Sequence, residues 1–222
     1  MDATPEPTVV YQSAVASLVV QLLVGGVTLV GAFLVPTTEP DLRDIFVLEL
    51  VSQVIEFTWY AVVVWQARRI VTWTRYLDWY VSTPVMLVSM ALFLYHRRGA
   101  SIDWARGRAG ALYTALSMNA LMLSAGFAYE THAIPRRPAL FVGFVALGVS
   151  FGSLARVMDP SDGVSVAVFA STAVVWALYG VAAGVLDNTS KNVAYNALDV
   201  VSKNGYGMFL FGYALTRRYG VR

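Results

Sequence analysis

The chain has 222 residues, of which 57% are hydrophobic and only 14% are charged. A soluble domain usually has about a quarter charged residues, so this composition predicts a protein whose surface faces lipid. The chain contains no cysteine, which excludes disulfides, thiolate metal ligands and cysteine nucleophiles. Its formal charge is only +2 and no basic run is interleaved with aromatic residues, which argues against nucleic-acid binding. The two histidines, His96 and His132, lie far apart in predicted loops, and no metal site is predicted.

Seven apolar segments are each long enough to cross a bilayer, which takes about 20 residues. The connections between them are short and rich in Pro, Gly, Asp and Asn, which are typical turn residues. The pattern predicts an all-α membrane protein, in which one bundle of seven transmembrane helices occupies the whole chain as a single domain. The predicted helices span residues 9–35, 45–67, 72–95, 109–129, 138–155, 164–186 and 193–216.

Basic residues in the connections indicate the orientation of the bundle, because they are enriched on the cytoplasmic side of a membrane. An outside N-terminus places the larger set inside and the smaller set outside. The inner set is Arg43, Arg97, Arg98, Arg106, Arg108, Arg156, Arg217, Arg218 and Arg222. The outer set is Arg68, Arg69, Arg136, Arg137 and Lys191. We therefore predict a multi-pass protein of the plasma membrane or a host cell membrane, with its N-terminus outside.

Charged residues inside the predicted spans indicate function, because each costs roughly 2.5–3.5 kcal/mol at the bilayer centre. Lys203 lies near the middle of helix 7, four residues after Asp199. Asp78 lies at a similar depth on helix 3, and Arg75 is one turn further out. A plain intrahelical ion pair would explain Lys203 and Asp199 alone. The larger cluster favours a Schiff base, whose cationic nitrogen needs a carboxylate counterion.

Helix 2 carries polar residues at i, i+4, i+7 and i+11, which places them on one face. They are Glu49, Gln53, Glu56 and Tyr60. This face should point into the bundle, because lipid would not tolerate it. A stack of carboxylates that lines water is typical of a cation path. The alternative is an internal hydrogen-bond network that fixes helix 2.

Two segments resemble the signatures of the microbial rhodopsins: Arg75-Tyr76-Leu77-Asp78-Trp79-Tyr80-Val81-Ser82-Thr83-Pro84 and Leu198-Asp199-Val200-Val201-Ser202-Lys203-Asn204-Gly205-Tyr206-Gly207. The resemblance covers all seven helices. It implies a bundle of the bacteriorhodopsin type that carries all-trans retinal as a covalent protonated Schiff base on Lys203. It also implies that Asp78 and Asp199 are paired counterions and that Arg75 closes the outer side. The implied retinal pocket consists of Trp79, Ser82, Thr83, Met86, Asn119, Met122, Gly126, Phe144, Trp176 and Tyr179.

Some positions depart from the usual pattern of the family or bear on its function. Gly180 replaces the proline that usually bends helix 6, and Ala183 replaces a pocket tryptophan. Asp78 can accept the Schiff-base proton in the light. Ser89 stands where outward proton pumps usually have a carboxylic proton donor, and a hydroxyl cannot replace that donor.

The helix-2 glutamates, the helix-3 residues and Asn204 after the lysine together resemble the group I viral rhodopsins, which are light-gated cation channels. The resemblance implies a photoreceptor and ion transporter, not an enzyme. It implies that a helix-1 serine, Ser13 or Ser17, joins the constriction. The implied partners are the lipid bilayer and cations such as H⁺, Na⁺, K⁺ and Ca²⁺, and a homo-oligomer is left open. The alternatives are a weak outward proton pump and a sensory rhodopsin that signals through a partner.

The expected channel mechanism begins with the light-driven isomerisation of retinal. The Schiff-base proton then passes to Asp78, which weakens the attraction among Asp78, Asp199 and Arg75. Water enters between helices 1, 2, 3 and 7, and cations pass Glu56 and Glu49.

Overall fold

A computed structural model describes residues 8–66, 71–100, 107 and 109–220 of the chain, and these are almost entirely helical. A single 3₁₀ turn, Thr72–Thr74, precedes the third helix. A π-helical turn, Val200–Asn204, joins the last two helices. The helices are α1 Thr8–Leu34, α2 Pro40–Gln66, α3 Arg75–Arg98, α4 Ala109–Glu130, α5 Arg136–Leu154, α6 Gly163–Val185, α7 Asn188–Asp199 and α8 Gly205–Tyr219.

Six of these helices are long and apolar enough to cross a membrane. The seventh crossing consists of α7, the π turn and α8, which contribute 12, 5 and 15 residues. The predicted seven-helix bundle is therefore confirmed. Some residues used in the predictions lie outside the described part of the chain: Ala67, Arg68, Arg69, Arg106, Arg108 and Arg222.

The predicted starts of the second and seventh helices are wrong by several residues. α2 begins at Pro40, because proline suits the first helical position, where its missing N–H has no partner to lose. α7 begins at Asn188, because the carboxylate of Asp187 accepts hydrogen bonds from the backbone N–H groups of Thr189 and Ser190. Both added segments are polar, so hydropathy alone misses them. His96 likewise lies in the last turn of α3 and not in a loop.

α3 is the central helix of the bundle. Of its most apolar stretch, 61% is buried inside the protein, against 22–39% for the other five long helices. Its buried face includes both apolar residues such as Leu87 and Phe93 and polar residues such as Asp78 and Ser82. Asp78 therefore lies in the interior, where it can meet residues of α2 and of the seventh crossing.

Candidate functional site

Lys203 provides the cation at the centre of the site. Only 1% of the residue is exposed, and its Nζ lies 3.0 Å from Asp78 Oδ2 on α3 and 3.2 Å from Glu56 Oε1 on α2. The sequence has only one other lysine, Lys191, which pairs at 2.6 Å with Glu130 at the end of α4. The buried amine in the middle of the bundle is thus held between carboxylates from two different helices.

Asp199 lies in the same cluster but forms its ion pair with Arg75, at 3.3 Å, and not with Lys203. The expectation of Asp78 and Asp199 as the paired counterions thus differs from the observed geometry, in which Glu56 takes the second place beside the amine. Lys203 lies in the π turn Val200–Asn204, and Asp199 is the residue directly before that turn. Asp199 accepts hydrogen bonds from Tyr60, Arg75, Trp79 and Tyr179, at 2.8, 3.3, 3.3 and 2.8 Å.

The Arg75 side chain is buried beside Asp199 and is almost fully paired. It donates to Tyr60 Oη at 3.2 Å, to Asn192 Oδ1 at 3.2 Å and to the Asn196 amide oxygen. Its guanidinium also lies 4.9 Å from the centre of the Trp59 ring, which is a cation–π geometry. Arg75 therefore ties α3 to α2 and α7 on one side of Lys203.

Sequence reasoning missed Asn192 and Asn196 as members of this cluster. A signal for them exists, because Asn192, Asn196 and Asp199 follow one another at i, i+4 and i+7 on a single helical face. The same spacing identified the polar face of helix 2. Tyr60, predicted as part of an ion path, bridges these residues by donating its hydroxyl proton to Asn196 or Asp199.

A cavity lies beside Lys203, and α3, α4, α5, α6 and the seventh crossing form its wall. Of the predicted pocket residues, those on the wall are Trp79, Thr83, Met86, Met122, Gly126, Phe144, Trp176 and Tyr179. Among the described residues, Ser82 and Asn119 are buried but do not line it. Asn119 lies behind Thr83 and donates to its hydroxyl at 2.8 Å, so it positions a wall residue instead of forming the wall. The lining is mostly aromatic and aliphatic, which suits an apolar ligand.

Two glycines allow aromatic rings to pack against the helices around the cavity. A Cβ on Gly126 would lie 2.8 Å from Cε1 of the Tyr76 ring, and a Cβ on Gly180 would lie 2.7 Å from Cζ of Phe144. Neither approach is possible for a residue with a side chain. The Phe144 ring occupies the space next to Gly180, at the position where the family usually has a proline.

The polar residues of α2 face α1 and the seventh crossing, on the opposite side of Lys203 from the cavity. Glu49, Gln53 and Glu56 are each at most 3% exposed. Gln53 donates to Glu49 at 3.1 Å and to Thr28 of α1 at 3.2 Å. The stripe predicted from spacing therefore does point into the protein.

Several buried polar atoms beside this stripe have no hydrogen-bond partner in the protein. They belong to Gln21, Glu49, Ser52, Gln53, Glu56 and Asn204, and of these Glu56 has its ion pair with Lys203 besides. Buried polar groups nearly always have a partner, and water is the expected one where the protein offers none. We call these six residues together with Thr28 the polar column. Gln21 and Ser52 were not predicted, although the spacing gives a signal for both. Ser52 is three residues after Glu49 and four before Glu56, and Gln21 is four residues after Ser17 and seven before Thr28.

The helix-1 serines lie outside the polar column. Ser13 accepts a hydrogen bond from the Asn196 side chain at 2.7 Å, and Ser17 donates to the Asn196 carbonyl at 3.1 Å. Both thus contact the hydrogen-bonded group that we call the Arg75 cluster, which consists of Tyr60, Arg75, Asn192, Asn196 and Asp199. Ser89 is fully buried, and its hydroxyl lies 3.4 Å from the Tyr206 hydroxyl and 3.5 Å from the Ile45 carbonyl oxygen.

The sequence matches the model of the bacteriorhodopsin-like protein family over residues 14–217. The chain belongs to this family. It is 24% identical to bacteriorhodopsin of Halobacterium salinarum over 191 residues, which cover 78% of this chain and 72% of the relative.

Solved structures of rhodopsins have the same fold. The viral rhodopsin OLPVRII has a TM-score of 0.84 and 23% identity, with 94% of this chain and 98% of that chain covered. A light-driven proton pump from Leptosphaeria maculans has a TM-score of 0.75 and 17% identity, with 95% and 97% covered.

Members of the bacteriorhodopsin-like family are membrane photoreceptors and ion transporters that bind retinal through a Schiff base to a buried lysine, so retinal is the cofactor of this rhodopsin. The residues present fit that cofactor. The aromatic cavity suits an apolar polyene, and the amine at its edge, Lys203, is deeply buried. The two carboxylates at 3.0 and 3.2 Å can balance a positive charge that remains on the nitrogen.

Proposed function

We propose that this rhodopsin is a light-gated cation channel whose path follows the polar column and is closed in the dark by the contact of Glu56 with Lys203. The observation that carries the proposal is this contact, at 3.2 Å, together with the position of Glu49 further along the same buried face. A carboxylate that faces the column and also holds the cofactor lysine connects the site of light absorption to the path.

Each residue near the amine has a proposed role. Lys203 is the attachment site, where bound retinal supplies a light-driven change of shape and a positively charged nitrogen. Asp78, at 3.0 Å, accepts the Nζ proton at its Oδ2. The nitrogen then no longer attracts Glu56, so α2 loses one of its ties to the seventh crossing and keeps those that Tyr60 makes to Asn196 and Asp199. The Glu56 side chain is free to turn towards water in the polar column.

The composition of the column favours cations. Carboxylates that line a path attract cations and repel anions, and Glu49 and Glu56 supply two of them. The amide groups of Gln21, Gln53 and Asn204 can replace part of the hydration shell of an ion, because an amide oxygen is a good ligand for hard cations. The column therefore offers carboxylate and amide oxygens as cation ligands on α1, α2 and the seventh crossing.

On the other side of Lys203, we propose that the Arg75 cluster forms the outer closure of the path. Arg75, Asp199, Tyr60 and Asn196 connect three helices through hydrogen bonds of 3.3 Å or less. Proton transfer to Asp78 neutralises a carboxylate that faces this cluster. The ion pair between Arg75 and Asp199 is then expected to weaken, which lets water enter. This assignment requires the N-terminus outside, as the arginine distribution predicts.

The test is a voltage-clamp recording of photocurrent in cells supplied with all-trans retinal, swept across potential in a sodium gradient. A current that reverses sign near a cation equilibrium potential is expected. Glu49→Gln and Glu56→Gln should each reduce the conductance or shift the reversal potential, because each removes a charge from the path. Glu130→Gln makes the same change at a carboxylate that pairs with Lys191, outside the column, and should keep wild-type selectivity. Wild-type currents in both column variants would refute the path.

A weak outward proton pump is the second candidate, and Glu49 is the observation in its favour. Ser89 cannot return a proton to Lys203, but Glu49 is a buried carboxylate on the inner side that could do so. A pump gives an outward current that does not reverse, and Glu49→Gln would then slow the recovery of the dark state. Intact colour without any current would indicate a sensory rhodopsin.

A further inference from the structure

Phe144 separates the cavity from the membrane. It lines the cavity, yet 40% of its surface is exposed, and its α5 neighbours Phe141 and Val145 are 71% and 50% exposed. Every other residue on the cavity wall is buried or half-buried. Since this face of the bundle lies in lipid, the Phe144 ring contacts the cavity on one side and the membrane on the other.

Small residues lie next to this ring. Its Cζ rests on Gly180 of α6, where a Cβ would lie at 2.7 Å, so a side chain at this position would displace the ring. Gly143 precedes it on α5, and a Cβ built there would meet no atom within 4 Å. Ala183 is the next small wall residue along α6. Rotation of one side chain therefore opens a passage between α5 and α6 without displacing either helix.

The other side of Lys203 is unsuitable for an apolar ligand. There the amine faces Glu56 and Asp78, and the polar column begins. Retinal partitions into lipid, and moving an apolar chain past buried carboxylates would cost their desolvation. The apolar route runs from the membrane, past Phe144, along the cavity to the amine.

We infer that Phe144 is a lateral gate through which retinal passes from the bilayer to Lys203. The closed ring packs on Gly180 and keeps lipid out of the cavity. The open ring swings into the lipid, where an aromatic side chain is well solvated. The gate controls the rate of loading, and it does not depend on whether the loaded protein is a channel or a pump.

The experiment measures cofactor uptake by the full chain. The protein is bleached, reconstituted in phosphatidylcholine vesicles and mixed with donor vesicles of the same lipid that contain all-trans retinal. The rate at which the visible absorption band appears reports loading. Phe144→Ala should load roughly tenfold faster, which corresponds to about 1.4 kcal/mol of barrier, and Phe144→Trp should load several times slower.

Phe141→Ala is the matched control. Phe141 is a phenylalanine of the same helix, is 71% exposed and does not line the cavity. It should load at the wild-type rate. Equal rates for Phe144→Ala, Phe144→Trp and the wild type would overturn the proposal, as would an equal acceleration by Phe141→Ala. If Phe144→Ala does not form the visible band, the loading rates of Phe144→Leu and Phe144→Trp are compared with that of the wild type instead. Both variants keep a large apolar side chain at this position.

Discussion

At the scale of single residues, two carboxylates share the Nζ of Lys203. Two unit charges about 4 Å apart interact by about 4 kcal/mol at an effective dielectric constant of about 20. Light moves positive charge of the bound chromophore away from the nitrogen, so a carboxylate near Nζ raises the excitation energy. We therefore expect Glu56→Gln to shift the absorption maximum to longer wavelength, as Asp78→Asn should.

The absorption spectrum of the purified protein checks this prediction. Glu49→Gln is the control, because Glu49 bonds to Gln53 and does not contact Lys203. It should keep the wild-type maximum within a few nanometres. A Glu56→Gln spectrum identical to that of the wild type would show that Asp78 alone serves as the counterion and that Glu56 is uncharged.

The sequence predicted the members of the central cluster better than their pairing. Lys203, Asp78 and Arg75 were identifiable because charged residues are rare and costly in apolar helices. Which acid contacts Lys203 depends on how the helices are rotated relative to one another, and the sequence carries no direct signal for a π turn. Glu56 was accordingly placed in the path, although its carboxylate also reaches the amine at 3.2 Å.

At the scale of elements, the start of α6 is fixed by Asp162. Its carboxylate accepts hydrogen bonds from the Ser165 backbone N–H and side chain, and it forms a bidentate pair with Arg97 of α3 at 2.5 and 2.8 Å. The Arg97 guanidinium, helped by Ser165, holds the pKa of Asp162 well below its usual range. A depressed pKa means that the stabilisation is fully present above the unfolded pKa, near 4, and is lost progressively as the pH falls from there through the lower folded-state pKa.

We expect Asp162→Asn to destabilise the protein by about 1 kcal/mol at neutral pH, because asparagine still caps the helix but cannot pair with Arg97. The difference from the wild type should shrink as the pH falls below about 4, towards the folded-state pKa of Asp162. Thermal loss of the visible band, measured from pH 3 to 7, gives both quantities. Asp187→Asn changes the other capping aspartate, at the start of α7, and should have the smaller effect. A difference independent of pH would exclude the charged pair as its cause.

The helices themselves were largely predictable, and the errors have a common cause. Spans such as 109–129 and 164–186 agree with α4 and α6 within a residue, because their boundaries coincide with changes in hydropathy. α2 and α7 continue beyond the apolar region into polar turns. Hydropathy reports the membrane-facing part of a helix, whereas its ends depend on capping groups.

At the scale of the whole molecule, the distribution of arginines predicts the orientation. Arg97, Arg98, Arg217 and Arg218 lie in the last turns of α3 and α8, at one end of the bundle. We expect that end to be cytoplasmic. An epitope tag at the N-terminus should be accessible to antibody on intact cells, and a tag at the C-terminus only after permeabilisation. The reverse pattern would contradict the proposed direction of the ion path as well.

The bundle also divides its interior into two halves that meet at Lys203. α1 and α2 contribute no described residue to the cavity wall, and α4, α5 and α6 contribute none to the polar column. Substitutions that retune the colour and substitutions that alter conduction can therefore be chosen from different helices. Libraries of the two kinds could be screened separately and then combined, because the cavity wall and the polar column share no described residue. The interior is therefore modular, with the cofactor cavity and the proposed ion path on different helices.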